Sequence, residues 1–363
     1  MSVLAAIAVL ALLIVVHELG HFMAARLQGI HVNRFSIGFG PILWKFQGKE
    51  TEYALRGIPL GGFVGFPDED PESQIPKDDP DLLSNRPILD RAIVISAGVI
   101  ANLIFAYFLL TSQVGLFGIP EFQYEPGVVV SEIASPASPA AQAGLQAEDV
   151  ILSIEEQPLN DPQTAVPDLV DVIKSNPGQP LALEVQRGEQ QLDLEVTPDD
   201  AQGQGQIGVV LAPNGGEITD WRRVGPIGAL KEGADRFQRL ISLTVQGFGQ
   251  LISNFNQTAQ QLAGPVGIVA MGSNIASSNA GNLFQFAAII SINLAFINIL
   301  PLPALDGGQL AFLLIEAVRG KPLPSKVQES VMQTGLMLFL GLGIFLILRD
   351  TANLPWVKSL LQQ

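Results

Sequence analysis

The stretch Val9-Leu-Ala-Leu-Leu-Ile-Val-Val-His17-Glu18-Leu-Gly-His21 decides how the rest of the chain is read. Its first half is apolar enough for lipid, yet it ends in two imidazoles and a carboxylate. On a helix, residues i and i+4 share a face, so both histidines can reach one metal ion with Glu18 beside it. Zinc brings the pKa of a neighbouring water to about 7, and a carboxylate can then remove its proton for attack on a carbonyl. Ionisable groups within a span are costly and mark function by default. A polar patch at the membrane edge is the plain alternative. The chain has 3 His, and His31 falls in a turn-rich region as a loop residue.

Outside this stretch the composition points the same way. The 363 residues are 48% hydrophobic and 15% charged, with a net charge of −15. A soluble domain carries about 25% charge. No charge occurs between Arg91 and Glu121, or between Arg239 and Asp306. A disordered chain, a nucleic-acid binder and an ordinary cytosolic enzyme are disfavoured. There are no cysteines, which excludes disulfides, thiolate metal sites and a cysteine nucleophile.

Four stretches reach the roughly 20 residues a bilayer requires. They are 1–25, 92–113, 283–306 and 331–348. The first lacks the basic start of a secretory signal, so a retained anchor is expected. Arg26, Arg34, Arg86 and Arg91 flank the first loop, 26–91, and Arg319, Lys321 and Lys326 lie in the third. By the positive-inside rule both loops face the cytoplasm, and the termini and residues 114–282 face outward. Arg349 and Lys358 in the tail are a weak counter-signal. The outer segment holds 7 basic and 20 acidic residues, which reads first as solubility.

Zinc needs a third protein ligand. Glu316 and Glu329 sit in no ligand pattern, whereas Asp306 follows the third span in Asn298-Ile-Leu-Pro-Leu-Pro-Ala-Leu-Asp306-Gly-Gly308. The prolines break the helix, and the glycines permit close backbone approach. The topology puts His17, His21 and Asp306 at the cytoplasmic ends of their spans, at a similar depth. A carboxylate at a helix C-terminus opposes the dipole, which weakens the reading of Asp306 as a mere cap.

With these motifs in hand, the sequence resembles the site-2 protease family of intramembrane zinc metalloproteases, close to the bacterial regulators of envelope stress. His17-Glu18-x-x-His21 is similar to the family's metal motif, and Asn298-x-Leu-Pro-x-Pro-x-Leu-Asp306-Gly to its second, which implies Asp306 as third ligand. Phe35–Pro41 resembles its Gly-x-Gly element, and Gly264-Pro-Val-Gly-Ile268 its lead-in to the third span. Tyr53–Val64, with Gly61 and Gly62, resembles a membrane-dipping β-hairpin that clamps substrate. An open strand edge can line a protein cavity and bind an unwound segment by strand addition. Asn293 and Asn298, and Asn102 on the second span, match asparagines that the resemblance implies in substrate binding; helix–helix hydrogen bonding is the alternative.

Residues 120–200 have strand-like runs at 127–133, 149–155, 180–186 and 191–197, and a helix-like stretch at 167–175. Ser138–Ile154 resembles part of a PDZ domain, a peptide binder. Glu148 stands where Gly is usual, and Glu155-Glu156-Gln157 replaces an Asn-Gly turn. Such a domain would bind a trimmed substrate end or screen out bulky outer domains. Within 220–262, Leu230, Ala234, Phe237, Ile241, Val245, Phe248 and Ile252 recur at helical spacing, as expected of an amphipathic helix on the outer membrane face. Residues 67–86 read as a flexible loop.

The expected architecture is therefore mixed: a polytopic α-helical membrane protein with four transmembrane helices, a membrane-associated β-hairpin and one inserted α/β PDZ-like domain. The expected function is an intramembrane zinc endopeptidase with Zn2+ held by His17, His21 and Asp306, and Glu18 as general base. Its partners would be the lipid bilayer, an upstream site-1-type protease and a single-pass substrate such as an anti-sigma factor, without nucleic acid. The expected location is a bacterial inner membrane, for want of transit-peptide composition. Alternatives are a catalytically silent adaptor acting through its PDZ domain, a membrane-anchored zincin of soluble type, which lacks a downstream Glu helix, and a zinc transporter, which needs more intramembrane ligands.

Overall fold

Long apolar runs without a polar face become helices that are surrounded by other helices or by lipid. The computed structural model describes residues 2–70, 73–162, 164–201, 203–254, 263–278 and 280–353. The chain divides into two compact units, Met1–Phe117 with Val224–Gln363, and Gly118–Arg223.

The first unit is helical. Among the described residues four helices are long and apolar enough to cross a membrane: Val3–Leu27, Ile88–Phe117, Gly281–Ile299 and Ser325–Ala352. They belong to α1 (Ser2–Leu27), α2 (Ile88–Phe117), α7 (Ala280–Ile299) and α9 (Ser325–Asn353). Between α2 and α7 in this unit come α5 (Pro226–Ser253) and α6 (Pro265–Ser278), and α8 (Asp306–Arg319) follows α7. Helix α2 packs against both α1 and α7. Small residues set the first contact: a Cβ at Gly20 would lie 2.4 Å from the Ala97 carbonyl oxygen and 2.7 Å from the Ala101 Cβ. Such close approach is how helices associate where lipid competes equally for apolar surface.

Two expectations change here. The third span stops at Ile299, and Asp306 opens a new helix instead of closing the old one. Pro301 and Pro303 cannot continue α7, and Ala304 turns through a positive φ of 68°. Asp306 thus sits at a helix N-terminus, where the dipole favours a carboxylate. The apolar stripe of α5 is also shifted. Ala229 and Gly233 are buried, and Phe237, Leu240 and Ile241 pack on a cluster of Ala106, Leu110, Ala288 and Ile292 from α2 and α7. Leu230, Val245 and Ile252 are exposed. The small side chains let α5 come close to α2, so that face is covered and the larger residues beside it are left outside. The end of the expected segment, 255–262, lies outside the described residues, as does Lys358.

Residues 34–65 form a small sheet of two long, bent strands, β1 (Arg34–Gln47) and β2 (Glu52–Gly65). The hairpin expected within 53–66 has a different arrangement. Arg34–Ile37 run parallel to Glu52–Leu55 and also pair in reversed register with Gly65–Gly62, so the two legs of β2 flank β1. Phe46 and Gln47 pair back onto Tyr53 and Glu52. The bend in β1 uses Gly38 and Gly40, both at positive φ, a region that side chains disfavour. Around the bends Phe39, Leu43, Trp44, Phe46 and Ile58 are exposed. The loop that follows is tied down by Arg34–Asp70 and Arg86–Asp81 ion pairs and by the Ser84 N–H donating to Asp68. Residues 71 and 72 lie outside the described set.

The second unit is an antiparallel sheet. Its strands are β3 (Ile119–Ile133), β4 (Val150–Ile154), β6 (Leu181–Arg187), β7 (Gln190–Val196) and β10 (Val209–Arg222), in the order β10-β3-β4-β6-β7. The short β5 (Gln157–Pro158) pairs with β4, and β8 (Asp199–Ala201) with β9 (Gln204–Gln206). Helices α3 (Pro139–Gln142) and α4 (Ala165–Ser175) complete it. Val128, Ile151, Ile154, Leu169, Leu183 and Val185 lie at the centre of the core. The unit runs past residue 200 because β10 pairs along the whole length of β3, a partner 76 residues earlier at Val209↔Ile133 and far from sight in local sequence. Glu148, Glu155 and Glu156 occupy their turns at positive φ of 73°, 49° and 61°. The places where the sequence departs from Gly are accommodated by backbone strain.

Candidate metal centre

The metal motif lies on the last turns of α1, and the loop between α7 and α8 brings Asp306 to it. His17 Nε2 is 3.3 Å from Asp306 Oδ2, His21 Nε2 is 3.4 Å from the same oxygen, and the two imidazole nitrogens are 3.3 Å apart. A tetrahedron with metal–ligand bonds of about 2.0–2.2 Å has edges of about 3.3–3.6 Å. The three atoms therefore have the spacing that one face of a tetrahedral zinc site requires. Asp306 Oδ2 is buried without a hydrogen-bond partner among the described residues, which leaves it free to face a cation. The donor set of two imidazoles and a carboxylate is one zinc accepts with a position left for water.

Close backbone packing brings the carboxylate here. A Cβ at Gly307 would lie 2.1 Å from the Leu300 carbonyl oxygen, and one at Gly308 would lie 2.3 Å from that of Leu302. No side chain fits at either position, so the first turn of α8 folds tightly back on the end of α7. The Arg91 guanidinium pairs with Glu316 and ties α8 to α2. Glu316 is thereby engaged away from the ligand set.

Glu18 lies under the sheet edge. A Cβ at Gly62 would be 3.0 Å from Glu18 Cγ and 2.9 Å from the Ser36 carbonyl oxygen, so β2 passes directly over the carboxylate. Gly61 is one residue away and faces the Phe39 ring instead. Asn298 is buried, with its side-chain nitrogen 3.5 Å from His17 Nε2. Asn293 is not brought in: its side-chain oxygen accepts from the Thr244 hydroxyl of α5 at 3.3 Å. Asn102, expected at the substrate, is fully buried and lies 3.2 Å from His17 Nδ1. It lies between α1 and α2, on the Nδ1 side of the His17 ring.

Two contacts were not legible in the sequence. The Val94 carbonyl accepts from His21 Nδ1 at 2.8 Å. Gly98 gives the rings room, since a Cβ there would lie 2.3 Å from His21 Nε2 and 2.7 Å from His17 Cε1. The small residues of the second span signalled a tight contact, but not with what. A second grouping, His31 with Asp79 and Asp81, stands apart, and Asp81 is already paired with Arg86.

Two histidines and an aspartate at tetrahedral spacing, with a glutamate between the histidines and long apolar helices around them, define a membrane metallohydrolase. The chain belongs to peptidase family M50, the site-2 proteases, whose model matches residues 5–342. A protein of Nostoc sp. strain PCC 7120, provisionally named a zinc metalloprotease, is 60% identical over 100% of both chains. The chloroplastic membrane metalloprotease ARASP of Arabidopsis thaliana is 51% identical over 99% of this chain and 81% of that one. The regulator of sigma-E protease RseP of Escherichia coli is 32% identical over 93% of this chain and 96% of its own. Among solved structures, the PDZ domain of an SdrC-like protein from Listeria monocytogenes is 24% identical, covering 25% of this chain and 92% of that one with a TM-score of 0.21.

Proposed function

We propose that the protein is an intramembrane zinc endopeptidase. It cuts a single-pass membrane protein within or beside its transmembrane segment, after an earlier protease has removed the outer part. The observation that carries this reading is the triangle of His17 Nε2, His21 Nε2 and Asp306 Oδ2, with sides of 3.3, 3.3 and 3.4 Å, beside Glu18. Zinc, when bound, acidifies a water and polarises the scissile carbonyl. Glu18 accepts the proton from that water and later delivers it to the leaving amine. The Asn298 amide, 3.5 Å from His17 Nε2, is suited to donate to the carbonyl oxygen as it gains charge.

A transmembrane helix hides its carbonyls in internal hydrogen bonds, so cleavage needs an unwound stretch. Residues 62–65 of β2 offer backbone for strand addition beside the base, because Gly62 lies on Glu18. The exposed apolar bends near Phe39 and Trp44 would dip this sheet into the membrane. The membrane is read as a bacterial inner membrane, and the Lys and Arg distribution favours the termini and residues 118–223 on its outer side. Those residues would act as a PDZ-like domain that binds a trimmed end or rejects bulky ectodomains. The sigma-E regulation in the name of the Escherichia coli relative makes an anti-sigma factor the first substrate to try.

The test uses full-length protein in detergent against trimmed and untrimmed single-pass substrates, with cut sites mapped by mass spectrometry. Glu18→Gln is expected to retain metal and lose cleavage. Turnover surviving in that variant would remove Glu18 from the mechanism.

A further inference from the structure

One face of α2 orients both histidines. Val94, Gly98 and Asn102 follow at intervals of four and so form a stripe along the helix. The Val94 carbonyl accepts a hydrogen bond from His21 Nδ1, Gly98 makes room for the rings, and the Asn102 amide lies 3.2 Å from His17 Nδ1. Asn102 is itself held: the Ser291 hydroxyl donates to its backbone carbonyl at 2.8 Å, which joins this turn of α2 to α7. Its side-chain oxygen is buried and has no hydrogen-bond partner among the described residues.

A neutral imidazole that offers Nε2 to an ion carries its proton on Nδ1. His21 donates that N–H to the Val94 carbonyl. His17 has the Asn102 amide in the same place, and an amide nitrogen is no acceptor. Oxygen and nitrogen of an amide exchange positions without changing its shape. With the oxygen turned toward the ring, the His17 proton gains an acceptor and the buried oxygen gains a donor. We propose that Asn102 is a positioning residue of the metal centre, its side-chain oxygen accepting from His17 Nδ1–H so that Nε2 faces the ion, and that it does not contact substrate. This rests on the metal-centre reading above.

The experiment measures Zn2+ affinity of full-length protein in detergent by competition with a chromogenic chelator. Wild type and His17→Ala come first. Equal affinity in these two overturns the metal-centre reading and this inference with it. If His17→Ala loses the metal, Asn102→Leu is expected to weaken zinc binding about 10–100-fold, as loss of a partner behind a ligand does. Asn102→Asp keeps an acceptor and is expected to bind within about threefold of wild type, or tighter. Wild-type affinity in Asn102→Leu overturns the proposal while leaving the metal centre standing. A loss in Asn102→Asp as large as in Asn102→Leu also overturns it, because an acceptor would then not be what the ring needs. If Asn102→Leu does not fold, Asn102→Ala serves for the same comparison. A raised KM with unchanged zinc affinity would return Asn102 to substrate binding.

Discussion

Residues 118–223 and the helical unit differ in what they bury. In the former, the deepest side chains are aliphatic: Val128, Val130, Ile151, Leu169 and Val185 are each at 0% exposure. Its buried polar groups serve the fold. Ser138 caps α3 by accepting from the Ala141 N–H, and Asp149 is gripped by Arg187. In the helical unit many large apolar residues are exposed, and of its buried polar residues His17, Asn102, Ser291 and Asn298 gather around one point, while Gln113 and Thr51 bond to backbone carbonyls elsewhere. Water drives apolar residues inward in the first case. In lipid, apolar residues gain little by moving inward, so the polar side chains of a span are the ones that converge. Buried polar groups are thus tied into the fold of residues 118–223, whereas around His17 they gather at the candidate metal centre.

Substitutions can break or sharpen this contrast. The largest effect is expected at Asp306→Ala, which should reduce zinc from one per chain to none while helix content is kept. A full complement by metal analysis would mean that another ligand completes the site. Asp149→Ala should do the opposite, leaving zinc unchanged and weakening residues 118–223 by about 2–3 kcal/mol, read by hydrogen exchange in the full chain. The same carboxyl sets an acid limit. Burial would raise it, but hydrogen bonds from Arg187 and the Gln146 N–H, with the Arg187 charge, hold it below its ordinary 3.8. The unfolded carboxyl then takes up a proton first as pH falls. The stabilisation is complete above about pH 4 and fades as acidity passes through the lower native value. Exchange that speeds instead toward neutral pH would rule this pair out as the cause. The smallest effect is expected at Glu156→Gly, which relieves a positive φ of 61°. It should stabilise the domain by about 0.5–1 kcal/mol, and slower unfolding is the sign to look for.

Much of the molecule was legible from residue order. The HExxH spacing works because a helix returns every 3.6 residues, and nothing else in the chain is needed to see that His17 and His21 share a face. The four long apolar helices followed from apolar length, and the strand-like runs at 127–133, 149–155, 180–186 and 191–197 fall on β3, β4, β6 and β7. What was missed has long-range causes. β10 finds its partner in β3 across the whole domain. The two legs of β2 lie on either side of β1, a register that no hairpin pattern predicts. Asn102 was matched to the family's asparagines, with helix–helix hydrogen bonding as the alternative, and local sequence does not show that His17 is the side chain beside it.

Residue order by itself determined the kind of ion these side chains suit and the apolar surroundings of their helices, because side-chain chemistry, helical period and hydrophobic length are local properties. Only the tertiary structure decided that Asp306 begins a helix at the histidine pair, that Gly62 crosses Glu18 and that α2 backs both imidazoles. Those juxtapositions depend on how closely glycine and alanine allow backbones to approach, a distance that only packing in three dimensions can set.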